Sequence, residues 1–168
     1  MNEKKLYNRK DPRLKGYDYS TTGAYFLTIC TQHRKNILST IVGEGSPLPQ
    51  LSRYGKIADK WINKIPEKYQ EISLDNYVIM PNHIHILLSI IKEDGRGNPS
   101  PTVYAAIGWL KYHITKEINQ ARGTVGQKIF QRSFFDHIVR NRNDYNEIYK
   151  YIFENPMRWC FDKLYSKE

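Results

Sequence analysis

The run Met80-Pro81-Asn82-His83-Ile84-His85-Ile86-Leu87-Leu88-Ser89-Ile90 constrains this chain more than any other stretch. Successive side chains on a strand point to opposite faces, so Ile84, Ile86, Leu88 and Ile90 form one apolar face while His83 and His85 share the other. The apolar face requires a covering layer. The preceding segment 72–80 also reads as a strand, and Pro81-Asn82 fits a tight antiparallel hairpin, which sets both histidines near the hairpin end of a central strand. Two neutral imidazoles one strand period apart can share a metal ion with a third ligand from elsewhere. Such spacing is common, and it also fits two polar residues on a solvated sheet face.

Around this hairpin the chain has room for one domain, which we place at residues 20–168, behind a polar, basic arm at 1–19. Tyr25 to Thr31 is a β-rich strand. Gly43, Gly45, Pro47 and Pro49 mark 41–52 as a loop, and Gly95, Gly97, Pro99 and Pro101 mark 93–102 as another. From Tyr54 to Tyr69 the residues Ile57, Trp61 and Ile65 recur every four positions, so a helix should bury that stripe. Val103 to Gln120 predicts a second helix, burying Val103, Ile107, Leu110, Ile114 and Ile118, and 129–139 a fourth strand with an irregular start. The order β-α-β-β-α-β, followed by a helix, is that of an α+β fold with a ferredoxin-like, RRM-like antiparallel sheet. Its helices are expected on one face.

That last helix is predicted over 143–155, with N-cap candidates at its start, Ile148 and Ile152 on its buried stripe and Pro156 as its stop. Tyr151 and Asn155 lie four apart and so share a face, which offers a phenolic and an amide oxygen. Asn155 precedes a proline and is therefore biased away from the α region, toward the frayed end of the helix. A tyrosine-rich helix whose Tyr145, Tyr149 and Tyr151 merely pack fits the same pattern.

Charge narrows the partners. Against 17 acidic residues stand 26 Lys and Arg, a formal charge of +9. Six of the basic residues fall between Lys4 and Lys15 and seven between Lys111 and Arg142. Such a surplus points to a polyanion, and to nucleic acid ahead of an anionic membrane, because no strongly apolar helix accompanies it. Cys30 and Cys160 alone make neither a disulfide framework nor a Cys-X-X-Cys zinc site, which fits a reducing, cytosolic setting. The N-terminus lacks a signal-peptide pattern and no run is long enough to span a membrane.

Taken together, the His-Ile-His strand and the Tyr151-Ile-X-X-Asn155 helix are similar to those of the single-tyrosine HUH transposases, in particular the REP-associated tyrosine transposase branch. The resemblance extends through 23–31, 77–85, 130–141 and 144–156, nearly the whole chain. One departure is visible at Phe134-Phe135, where the pattern leads us to expect at least one tyrosine. The resemblance implies that His83, His85 and Asn155 hold one divalent ion and that Tyr151 is the nucleophile. A mixed nitrogen and oxygen set with vacant positions suits Mg²⁺ or Mn²⁺ better than a closed structural zinc. The implied enzyme is a single-stranded DNA endonuclease and strand transferase that cuts beside palindromic DNA hairpins through a 5′-phosphotyrosine. A monomer or homodimer, cytoplasmic and nucleoid-associated, is expected. Arg13, Lys15, Lys111 and Arg132 are candidate DNA contacts, with Gln131 and His137 as further polar candidates near the site. The alternative is a domesticated protein that binds DNA or RNA hairpins without cutting. An RNA-binding sheet module lacks support, because its aromatic strand motif is absent.

Overall fold

The computed structural model describes residues 17–43, 47–91 and 102–166. In chain order the elements are β1 (Gly23–Cys30), β2 (Ser39–Val42), β3 (Leu48–Leu51), α1 (Arg53–Asn63), α2 (Ile65–Lys68), β4 (Ile72–Ile79), β5 (His83–Ile90), α3 (Val103–Arg122), β6 (Phe135–Ile138) and α4 (Arg142–Glu154). A short 3-10 turn, Pro156–Phe161, follows α4. Four strands form the main sheet in the order β4-β5-β1-β6, with every neighbouring pair antiparallel, as the ferredoxin-like reading requires. No described helix is long and apolar enough to cross a membrane.

The hairpin at Pro81-Asn82 is present, and its closing bond runs from Met80 N–H to the His83 carbonyl at 2.9 Å. β5 is an inner strand, flanked by β4 and β1, so His83 and His85 sit opposite Cys30 and Thr28. Tyr25, Leu27 and Ile29 of β1 join Ile84, Ile86, Leu88 and Ile90 of β5 in the larger core, beneath Ala58 and Ile62 of α1 and Ile107, Leu110 and Ile114 of α3. The other sheet face is not left open, contrary to a sheet with helices on one face. Phe26, Val78, Met80 and Leu87 make it apolar around the histidines, and Ile148 and Ile152 of α4 together with Trp159 cover it.

The segment 41–52, expected as a loop, instead carries the two-stranded ribbon β2–β3. Its prolines concealed the pattern, but a two-stranded ribbon has free edges where a missing N–H breaks no ladder bond. The ribbon leads into α1, whose N-cap Ser52 accepts from the N–H groups of Tyr54 and Gly55. The helix expected over 54–69 is broken at Lys64, because Pro66 has no N–H for the Ile62 carbonyl and its ring would crowd that carbonyl, so a new turn begins with the proline at its start. The buried stripe of α1 is Gly55, Ala58 and Ile62, continued by Ile65 of α2, while Ile57 and Trp61 flank it half-buried. β4 contains a bulge between Leu74 and Asn76 that lodges Asp75 and switches the core-facing parity from Ile72 and Leu74 to Tyr77 and Ile79. The regular part of the last strand is only Phe135–Ile138; its irregular approach includes a bridge from Phe130 to Thr31. Tyr17 and Tyr19, placed in the arm by sequence, belong to the domain, since Tyr19 is buried and donates to Asp136 at 2.7 Å.

Candidate active site

Both imidazoles are buried, His83 at 0 % and His85 at 3 % exposure, so they are not residues of a solvated face. Their Nε2 atoms lie 3.1 Å apart. His83 Nδ1 is 2.8 Å from Asn82 Oδ1, while Asn82 Nδ2 donates to the Leu164 carbonyl at 2.8 Å, which fixes the orientation of the amide. An amide oxygen only accepts. His83 therefore carries its proton on Nδ1 and turns the Nε2 lone pair inward. His85 Nδ1 is 2.8 Å from Thr28 Oγ1, a hydroxyl able to donate or accept, so His85 can expose an Nε2 lone pair or share an Nε2 proton with His83. Burial holds His83 down to about 4, and burial with the adjacent His83 holds His85 well below its ordinary value. At neutral pH both are uncharged, the form that binds a cation.

α4 runs over this pair. Asn141 caps it by accepting from Asp144 N–H at 2.9 Å, two residues before the expected start, and Ile148 and Ile152 seat it on the sheet. From the bulge, Asn76 Nδ2 donates to the Tyr149 carbonyl at 3.3 Å. Tyr151 is thereby brought to the imidazoles of its own chain, with its hydroxyl 3.5 Å from His85 Nε2 and its ring edge-on to Phe26. Tyr151 as a whole is still 40 % exposed. Its phenol is pushed up to about 12, by burial first and then by the Asp162 charge, with an Asn155 hydrogen bond opposing. Tyr145 and Tyr149 stack on each other further up the helix, and Tyr145 interacts with Asp75 rather than with the histidines.

Asn155 is the C-cap of α4, as the following proline suggested, but its backbone is helical (φ −56°, ψ −42°) rather than extended. The chain passes directly into the 3-10 turn with Pro156 at its first position, where no N–H is needed, and Arg158 N–H closes the turn on the Asn155 carbonyl at 3.1 Å. The side chain is 2 % exposed, and its Oδ1 is the one buried side-chain polar atom among the described residues without a hydrogen-bond partner. A buried orphan acceptor near the His83 Nε2 lone pair, with His85 Nε2 able to present a second once its proton sits on Nδ1, fits a cation. Asp162 adds a carboxylate that the sequence reading missed. One ligand atom each from His83, His85 and Asp162 lie within 4.8 Å of one another. Nothing in the spacing pointed to it, because the 3-10 turn alone brings it back over the strand.

The remaining candidates lie elsewhere. Lys111 directs its ammonium to the carbonyls of Gln131 and Arg132, at 2.6 and 2.9 Å, on the α3 side of the sheet. With Arg132 it lines a concave region of about 760 Å³ that also includes Lys116, Tyr104, Tyr112 and Phe134. His137 pairs with Asp144 at 2.9 Å, and Gln131 donates weakly to the Thr31 carbonyl at 3.3 Å. Arg13 and Lys15 lie outside the described residues. Of the two positions where a tyrosine was expected, Phe134 packs tilted against Tyr104 in the larger core, across the sheet from the histidines, whereas Phe135 pairs with Thr28, the hydrogen-bond partner of His85, and so lies on the histidine face.

Residues 19–155 match the sequence profile of the family described as Transposase IS200 like. An uncharacterized protein of Haemophilus influenzae is 30% identical over 175 aligned positions, covering 95% of this chain and 94% of that protein. A second protein of the same organism, provisionally named a REP-associated tyrosine transposase, is 26% identical over 151 positions, 84% of this chain and 74% of its own. A solved structure of a REP-associated tyrosine transposase bound to a REP hairpin superposes with a TM-score of 0.57 at 20% identity, covering 90% of this chain and 77% of that one, a likeness of fold. The chain belongs to the IS200-like transposase family.

Proposed function

We propose that this protein nicks and rejoins single-stranded DNA beside hairpins, with Tyr151 as nucleophile and His83, His85 and Asn155 holding a divalent ion, Mg²⁺ or Mn²⁺. The observation that carries this reading is the Tyr151 hydroxyl 3.5 Å from the buried imidazole pair within one chain. When bound, the cation supplies positive charge where a phosphodiester accumulates negative charge during displacement. Tyr151 Oη forms a bond to phosphorus while the bond from phosphorus to the 3′ oxygen breaks; the phenolic proton goes to solvent, and the 3′ oxygen takes a proton from solvent to leave as a hydroxyl. The phosphodiester energy is retained in the 5′-phosphotyrosine, so a later 3′-OH can reverse the step. Phe26 and Ile152 fix the tyrosine's approach, and the two imidazoles, kept neutral by burial, stay available to the ion.

DNA hairpins as the partner rest on the family, on the provisionally named Haemophilus influenzae relative and on the hairpin held by the structurally similar transposase. The basic surplus agrees with it. The test removes one oxygen. Tyr151→Phe retains the ring, so hairpin-flanked single-stranded DNA should bind within about twofold of the wild type while cleavage and the covalent adduct disappear. An adduct formed by Tyr151→Phe at the wild-type rate would overturn the assignment. A wild-type protein that binds but never forms one would instead leave the domesticated, non-cutting protein as the answer.

A further inference from the structure

We infer that Asp162 is a fourth protein ligand of the ion, delivered by the turn that follows the tyrosine helix. This rests on the reading of His83 and His85 as ion-holding residues. The carboxylate shares a 4.8 Å cluster with both imidazoles, close to the unpartnered Asn155 Oδ1. It is held there before any ion arrives. Asp162 Oδ2 accepts from Asn155 Nδ2 at 3.0 Å and Oδ1 from Leu164 N–H at 2.7 Å, so each oxygen has one donor and keeps lone-pair capacity.

The chain on either side is equally fixed. Before Asp162, Trp159 is buried with its ring 5.9 Å from His83, and its carbonyl accepts from Asp162 N–H at 3.0 Å. After it, Asn82 Nδ2 holds the Leu164 carbonyl and Asn36 Nδ2 holds that of Ser166 at 3.0 Å. One amide, Asn82, thus orients His83 and anchors the segment carrying Asp162. Placing a carboxylate on a short, tethered turn over an imidazole pair is what an ion site needs from a distant part of the sequence.

Charge gives a second reason. Two imidazoles and an amide are neutral, so a divalent ion among them would remain uncompensated in a buried site, and one carboxylate halves that charge. The resulting set of two nitrogens and two oxygens would favour Mg²⁺ or Mn²⁺ and would leave the ion able to bind phosphate oxygen and water.

The test measures binding, with no DNA present. Mn²⁺ is titrated into the full-length wild type, Asp162→Ala, Asp162→Asn and the His83→Ala/His85→Ala double variant by calorimetry, and the Co²⁺ absorption spectrum is recorded for each. We expect both Asp162 variants to bind Mn²⁺ at least about tenfold more weakly, with a changed Co²⁺ spectrum, and the double variant to bind none. Wild-type affinity in both Asp162 variants, with binding lost in the double variant, overturns the proposal and leaves the histidine site standing. Weaker binding with an unchanged Co²⁺ spectrum also overturns it, since Asp162 would then act only through Asn155. Wild-type affinity in the double variant shows that the ion sits elsewhere, and the reading of the histidine pair fails with it.

Discussion

Asn82 and Thr28 decide how the two imidazoles present themselves. Asn82 Oδ1 forces the His83 proton onto Nδ1, whereas the Thr28 hydroxyl tolerates either His85 tautomer. With an ion bound, His85 must donate its Nδ1 proton to Thr28. Thr28→Val keeps the shape and removes that acceptor, so Mn²⁺ affinity should fall about 10- to 100-fold, measured by calorimetry, with far less effect on the ion-free fold. The histidines also set a pH dependence. His83 is held near 4, against 6.5 for the free side chain, so between these values the unfolded chain binds a proton that the folded chain refuses. Stability of the ion-free protein is therefore complete above about pH 6.5 and is lost as pH falls toward 4. Urea unfolding in chelator at pH 7.5, 6.0 and 5.0 should show this slope, and His83→Phe should reduce it. A wild-type profile flat over that interval would refute the burial argument.

α4 carries Tyr151 and rests on an apolar seat, with polar ties from Asn76 to the Tyr149 carbonyl and between His137 and Asp144. Ile152, 1 % exposed among Phe26, Val78, Met80, Leu87 and Trp159, is the residue directly beside Tyr151. Ile152→Ala should cost about 2–5 kcal/mol in chemical denaturation and reduce adduct formation more than DNA binding, because the loosened helix no longer fixes the phenol. On the opposite face, α1 approaches the chain so closely at Gly55 that a Cβ there would overlap the Leu38 carbonyl oxygen. Gly55→Ala is accordingly expected to lower the melting temperature despite alanine's better helix propensity, and a rise would show that the ribbon yields.

For the molecule as a whole, the sheet separates two surfaces: the histidine face under α4, and the α3 face where Lys111, Lys116 and Arg132 line a concave region. DNA affinity should fall steeply with salt. Removing residues 1–15, which hold six basic side chains, should make the dependence of log K on log salt shallower by about one unit for every phosphate the arm neutralises. An unchanged slope would mean that the arm does not touch DNA. Alternation along 84–90 was enough to determine a strand with one apolar face, and the four-residue spacing of Tyr151 and Asn155 was enough to put them on one helical face, because both are local geometric periods. The ribbon over 39–51 and the shifted stripe of α1 were not legible, since prolines and a tryptophan obscured the apolar pattern. Burial of His83 and His85 was likewise settled only when α4 crossed the second sheet face, for a residue's own period does not say what covers it. Asp162 lies outside any local period altogether. Its place beside the histidines depends on a turn, on a bond from Asn155 within that turn, and on the bond from Asn82 to the Leu164 carbonyl, which joins residues far apart in sequence and exists only once the chain has folded.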